Sequence, residues 1–286
     1  MTDFEIVPRG GRRDRLGEGL YWSAREGALY WTDVVAPALN RLTFATGRVE
    51  RWAMPETIGW VVERAREPGL IAGLRSGFVA LSLDPVEVTP VATPDPHPPG
   101  NRLNDGKADP WGRIWAGSMP MDADRPSGHL FRLDPDHRVE QVDSGYIVAN
   151  GPAISPDGRW LFHTDSGARR VYRFALDEGG ISNRELFVAF EESWGHPDGM
   201  CFDTEGGLWI ACWGAGRIAR FDDRGRMTRT VDFPASQISN VCFGGPDLAT
   251  MFVTSASIGR EGEPLAGSLF RGDAGVRGHL PHLFAG

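Results

Sequence analysis

Five oxygen-bearing side chains stand at one phase of an internal repeat. Glu18, Asp105, Asn150 and Asp198 each precede a glycine that opens an apolar, strand-like phrase, and Asn240 occupies a similar place late in the chain. The first four are spaced 87, 45 and 48 residues apart. In a repeat architecture equivalent positions lie at equivalent depth, so these groups converge. An unpaired carboxylate at a strand opening beside apolar core is costly, and several gathered there need a cation or hydrogen-bond donors. With no His or Cys at this phase, the donors are hard oxygens, which suit Ca²⁺, Mg²⁺ or Mn²⁺ better than a structural zinc. Such a site, with three or four protein ligands, keeps positions open for water or substrate. It polarises a carbonyl or lowers the pKa of a bound water, and both serve ester hydrolysis. Asp-Gly and Asn-Gly are also favoured in plain turns. The repeat therefore localises a site without naming a reaction.

The elements that must position these residues come from the same repeat. GLYWSAREGALYWTD (19 to 33), GKADPWGRIWAG (106 to 117), GPAISPDGRWLFHTD (151 to 165) and GMCFDTEGGLWIAC (199 to 212) each read as a glycine, an alternating strand, a polar turn and a second strand with an aromatic. A third apolar segment follows each one: LNRLTFATG, GHLFRLDPD, VYRFALDEG and RIARFDDRG. Weaker copies begin at GWVVERAREPGLIAGL and at ISNVCFGGPDLATMFV, which makes six. Six units of three or four short strands, none able to bury its faces alone, specify an all-β, six-bladed β-propeller with a central channel. A pair of β-sandwiches would not explain the even return of one phrase. We expect one propeller domain over residues 1–286, with blades near 17–54, 57–93, 101–145, 147–190, 196–234 and 238–284. Almost no helix is expected, and the Pro-rich stretch Pro90 to Pro99 reads as a connector.

Composition narrows the functional classes. The chain has 286 residues, 41% hydrophobic and 24% charged, with a net charge of -8. Its basic residues form no sustained stripe, and the densest group, Arg9, Arg12, Arg13 and Arg15, is confined to an N-terminal arm, which excludes a nucleic-acid partner. No apolar run reaches the roughly 18 residues that cross a bilayer, and the start lacks the apolar stretch of a secretory signal. The expectation is a cytoplasmic protein, monomeric or weakly homo-oligomeric. Cys201, Cys212 and Cys242 are an odd number without paired spacing, and read as buried free thiols.

The segment NRLNDGKADPWGRIWAGSM (101 to 119) resembles the signature of the family of regucalcin, or senescence marker protein, and the gluconolactonases. GEGLYW, ANGPAISPDGRWLFHTDS, HPDGMCFDTEGGLWIACWGAGRIARFD and FGGPDLATMFVTSA match the same family in order along nearly the whole chain. The resemblance implies a six-bladed propeller that opens lactones of aldonic acids with one divalent metal ion, whether Ca²⁺, Mn²⁺, Mg²⁺, Fe²⁺ or Zn²⁺. It implies that Glu18, Asn150 and Asp198 hold the metal and that Asp198 also activates water. Arg102, Asn104 and Asp105 match residues that family members place around substrate or metal-bound waters. Three positions depart from the pattern. Leu103 replaces an aromatic, Ser118 stands for Thr, and Asp122 falls where some members carry a substrate-contacting Glu.

Each assignment has a plainer competitor. Pro156-Asp157-Gly158 is a simple hairpin turn of the same composition as Pro197-Asp198-Gly199, but only the latter opens a blade. Arg102 competes with a solvated surface arginine, and His196 with an incidental loop histidine, so His196 is left outside the expected site. Trp60, Trp194 and Trp213 are candidates for sugar stacking at the channel mouth, against the wedge role that most of the 10 Trp must play. The expected partner is a small sugar lactone. The alternatives are a non-catalytic Ca²⁺-binding or interaction propeller and an esterase-like hydrolase on the same scaffold.

Overall fold

The computed structural model describes residues 4–286; residues 1–3 of the expected domain lie outside them. The described chain forms six four-stranded antiparallel sheets set as blades in a ring, a β-propeller. The innermost strands of blades 1 to 6 are Gly17–Ser23, Ile58–Glu63, Asn101–Ala108, Ala149–Ile154, His196–Phe202 and Ile238–Gly244. Each packs on the next, and the sixth on the first. Helix is limited to one 3-10 turn, Glu192–Trp194, and no helix is long and apolar enough to cross a membrane.

The recurring phrase has a local cause. In blade 3 the Asp109 carboxylate accepts from the Trp111 and Arg113 backbone N–H groups and from Trp115 Nε1 at 2.7 Å. In blade 5 Asp203 does the same for Glu205, Gly207 and Trp209 Nε1, again 2.7 Å away. One aspartate thus closes the turn and fixes the indole that wedges the blade, using acceptor capacity that would otherwise be buried unpaired.

The ends of the sequence correct the expected blade boundaries. The short strand Glu5–Ile6, read beforehand as part of a free arm, pairs with Leu269–Asp273 as the outer strand of blade 6. Val7 N–H donates to the Leu269 carbonyl at 2.9 Å. N-terminal chain thereby locks the last blade and closes the ring. The tail beyond Asp273 then crosses the opposite face, bridging to Asp203 through Gly278 and to Arg64 through Phe284. Pro90 is not connector but part of the outer strand Val86–Ala92, an edge position where its missing N–H costs no ladder bond.

All six innermost strands carry a β-bulge or irregularity at the same level, beside Glu18, Gly59, Asn104, Asn150, Asp198 and Ser239. A bulge adds an unpaired residue and re-aims side chains locally. The glycines there let the strands crowd the axis. A Cβ on Gly19, whose φ is +58°, would stand 2.3 Å from the Gly59 carbonyl oxygen, and a Cβ on Gly59 would stand 1.9 Å from that of Asn104. Backbone on both sides leaves no flexible side chain to yield. Gly59→Ala is therefore expected to destabilise the fold by ~2 kcal/mol or more, read as a lower midpoint in denaturant unfolding. A midpoint like that of the wild type would show that the ring is looser than this packing requires.

Candidate functional site

A cavity of about 370 Å³ opens at one end of the channel, and Glu18, Arg102, Asn104, Asn150, His196 and Asp198 supply its polar wall. Met119, Ala123, Val148 and Trp213 supply most of the rest. Glu18, Asn150 and Asp198 come from the bulges of blades 1, 4 and 5, so the repeat phase does bring them together. Blade 2 has fully buried Ile58 at this phase and adds no oxygen.

Few donors meet these acids. Glu18 Oε2 accepts from Gly19 N–H at 3.2 Å and from Asn240 Nδ2 at 2.9 Å. Asn150 Nδ2 donates to Ser166 Oγ at 3.2 Å, which leaves its Oδ1 buried without a partner; Asp198 Oδ1 is buried and unpartnered as well. Arg102 Nη1 donates to Asn104 Oδ1 at 2.5 Å and to the Leu103 carbonyl at 3.1 Å, and Asn104 Nδ2 reaches the Ala149 carbonyl at 2.7 Å. The guanidinium makes no ion pair among the described residues, although it is only 6% exposed. Burial lowers its pKa to about 10, against the opposing pull of Glu18 and Asp198.

Asp105 sits deeper than the resemblance implies. Its Oδ1 accepts from Gly106 N–H at 2.8 Å and its Oδ2 from Asn240 Nδ2 at 3.4 Å. It lines a second cavity of about 250 Å³ at the opposite end of the channel, with Lys107, Cys201, Cys242, His279 and His282. Asp105 thus underlies the other two carboxylates rather than flanking Arg102. Burial raises all three: Asp198 well above the ordinary carboxylate range, with Glu18 and then Asp105 adding to it; Glu18 to about 8, with Asp105 next; and Asp105 itself, against the charge of Lys107.

Several expected contacts are not formed. Asp122 is exposed in the turn after the strand Ile114–Pro120 and does not line the cavity, which its neighbour Ala123 does. A turn that short presents one side chain inward, and here Ala123, at φ 52°, takes that place. Trp60 lies as a wedge against Gly73 and Gly106, and Trp194 packs on Phe190 and Phe221, so only Trp213 of the three reaches this cavity. His196, left outside the expected site, is in its wall; the signal was its place two residues before Asp198. Leu103 is core and Ser118 Oγ accepts from His129 N–H at 3.1 Å, so both departures act in packing. The three cysteines are free, Cys201 half-buried and the others buried.

The sequence model of the SMP-30/gluconolactonase/LRE-like region matches residues 16–257. The chain belongs to this family. It is similar to the 6-deoxy-6-sulfogluconolactonase of Pseudomonas putida, 37% identical over 278 residues and 95% of each chain. It is also similar to the regucalcin of Gallus gallus, 36% identical over 300 residues and the whole of both chains. Among solved structures, regucalcin of Agrobacterium tumefaciens, described as a calcium-binding protein, superposes with a TM-score of 0.92 at 25% identity, covering 99% of this chain and 97% of that one. The SMP-30/gluconolactonase/LRE-like match contains every residue of the acidic cavity, whereas the tail covering the opposite mouth lies beyond it.

Among the described residues no three His, Cys, Asp or Glu side chains are gathered as a metal cage. The oxygen set here instead combines two carboxylates with the Asn150 amide, and the orphaned Oδ1 atoms of Asn150 and Asp198 fit a hard cation. The raised Glu18 pKa has a stability consequence. A carboxyl whose folded pKa exceeds its unfolded value stabilises most below the ordinary carboxylate range and loses that contribution as pH rises through about 8. In chelator, Glu18→Gln should therefore gain melting temperature over the wild type progressively from pH 5 to pH 8, by several degrees at the upper end. A difference that did not change with pH would contradict the assigned burial of this charge.

Proposed function

We propose that the chain is a divalent-cation-dependent hydrolase that opens a small sugar lactone to the aldonic acid. The observation that carries this reading is the unpartnered, buried Oδ1 of Asp198 facing a cavity that also holds the unpartnered Asn150 Oδ1 and an arginine without an acid. Acceptors without donors suit a cation and an attacking water together. The relative from Pseudomonas putida is named for action on a gluconolactone, and the Agrobacterium tumefaciens relative is described as binding calcium, and both names support the reading.

Glu18, Asn150 and Asp198 would hold the ion, which when bound supplies polarisation of the ester carbonyl and acidification of water. Asp198 takes the proton of the water that attacks the carbonyl carbon. The ring C–O bond then breaks, and the same carboxyl returns that proton to the departing ring oxygen. Burial favours the protonated form of Asp198, which suits the second half of this exchange. Arg102 and Asn104, coupled at 2.5 Å, form one rigid donor edge on blade 3 that orients sugar hydroxyls. Met119 and Trp213 present apolar surface to the ring faces.

The regucalcin relatives favour a second reading, a cation-binding propeller without turnover. Proton release from glucono-, galactono-, xylono- and arabinonolactone, with and without chelator, separates the two. We expect lactone opening that chelator abolishes and a divalent cation restores, and a fall of roughly 100-fold or more in kcat/KM for Asp198→Asn. Full turnover in Asp198→Asn would remove it as the base. Silence across the panel from cation-loaded protein would favour the non-catalytic reading.

A further inference from the structure

Charge in the cavity is graded along the channel axis. Glu18 and Asp198 make its floor, with Asp105 below them, whereas arginine without an acid partner stands at its wall and rim. Arg169 lies in the turn after the strand Trp160–Asp165 of blade 4, its backbone in the left-handed region at φ 55° and its N–H bonded to the Ser166 carbonyl at 3.1 Å. Nearby arginines of the same blade are matched with acids, Arg173 with Glu185 and Arg184 with Asp143. Arg169 forms no ion pair among the described residues, its Nε is buried without a partner, and its Nη2 approaches His196 Nε2 at 3.5 Å.

His196 explains that placement. Its Nδ1 lies 2.8 Å from the Ser166 carbonyl oxygen, so Nδ1 is the donor and Nε2 the acceptor that faces Arg169. Because His196 lines the cavity, it fixes one edge of the guanidinium beside the rim and leaves the other N–H groups free. A free guanidinium fork is matched to the paired oxygens of a sulfonate, phosphate or carboxylate. The acidic floor repels such a group and accepts a neutral ester, so the two ends of a substrate are sorted along the axis.

We infer that the lactone opened here carries a second, anionic group remote from its ester carbon, bound at the rim by Arg169 with His196 as a positioning residue. This rests on the lactonase reading and specifies its substrate class. The test compares kcat/KM for glucono-1,5-lactone, its 6-phosphate and its 6-deoxy-6-sulfo analogue. The wild type should prefer the anionic lactones by roughly tenfold or more, chiefly through KM and less so at high salt. Arg169→Gln should collapse that ratio, and Arg169→Lys should keep part of it. His196→Gln, whose carbonyl oxygen still accepts from Nη2, should keep the preference that His196→Leu loses. A preference for one of the two anionic lactones alone would support the site and identify which anion it takes. Equal kcat/KM for neutral and anionic lactones in the wild type overturns the inference while leaving lactone hydrolysis standing, and decides the matter even if the Arg169 variants fail to fold. No hydrolysis of any lactone overturns both.

Discussion

Three carboxylates buried on one axis are the constraint around which the molecule is arranged. Glu18, Asp105 and Asp198 are each less than a tenth exposed, and burial pushes all of them toward the protonated form. The nearby positive charge is small. Arg102 stands above them without an ion pair, and Lys107, the only lysine in the chain, stands below beside Asp105. Asn240 donates to both Glu18 and Asp105 through one amide nitrogen, which ties the upper and lower acids together. This is an under-neutralised site, and such a site persists only where the surrounding fold is rigid enough to prevent relaxation.

Rigidity comes from how closely the inner strands approach. Neighbouring blades meet at glycine with backbone on both sides, so the six bulges cannot shift independently of one another. Closure of the ring by Glu5–Ile6 on blade 6 prevents the blades from parting at the seam. The Asp109 and Asp203 turns clamp the wedging indoles of Trp115 and Trp209 at the far end of their blades. Strand packing thus stabilises the arrangement that the acids alone would oppose. The energetic link runs from turn chemistry, through blade wedging, to the depth at which the oxygens are held.

Much of this was readable in the sequence because repetition converts spacing into depth. One phrase returning six times was enough for the blade count, and the residue before its glycine located Glu18, Asn150 and Asp198. What escaped reading depends on contacts that no periodicity encodes. Two residues, Glu5 and Ile6, are too few to show alternation, so their pairing with the other end of the chain was invisible. Asp105 shares the phase of the other acids, yet Lys107 and Asn240 draw it toward the opposite cavity. Asp122 differs from Ala123 only by one step in a tight turn, and which of them faces inward is decided by backbone conformation. His196 looked incidental because its significance lies in what Ser166 and Arg169 do to its two nitrogens.

The account depends most on the claim that the buried oxygens are completed by a cation. Calorimetric titration of chelator-stripped protein with Ca²⁺ and Mn²⁺, run near pH 6.5 in buffers of different ionisation heat, tests it directly. One cation per chain should bind, with proton release from the carboxyls that burial keeps protonated, and both signals should disappear in Glu18→Gln combined with Asn150→Ala. Absence of binding, or binding that releases no protons and survives both substitutions, would contradict it.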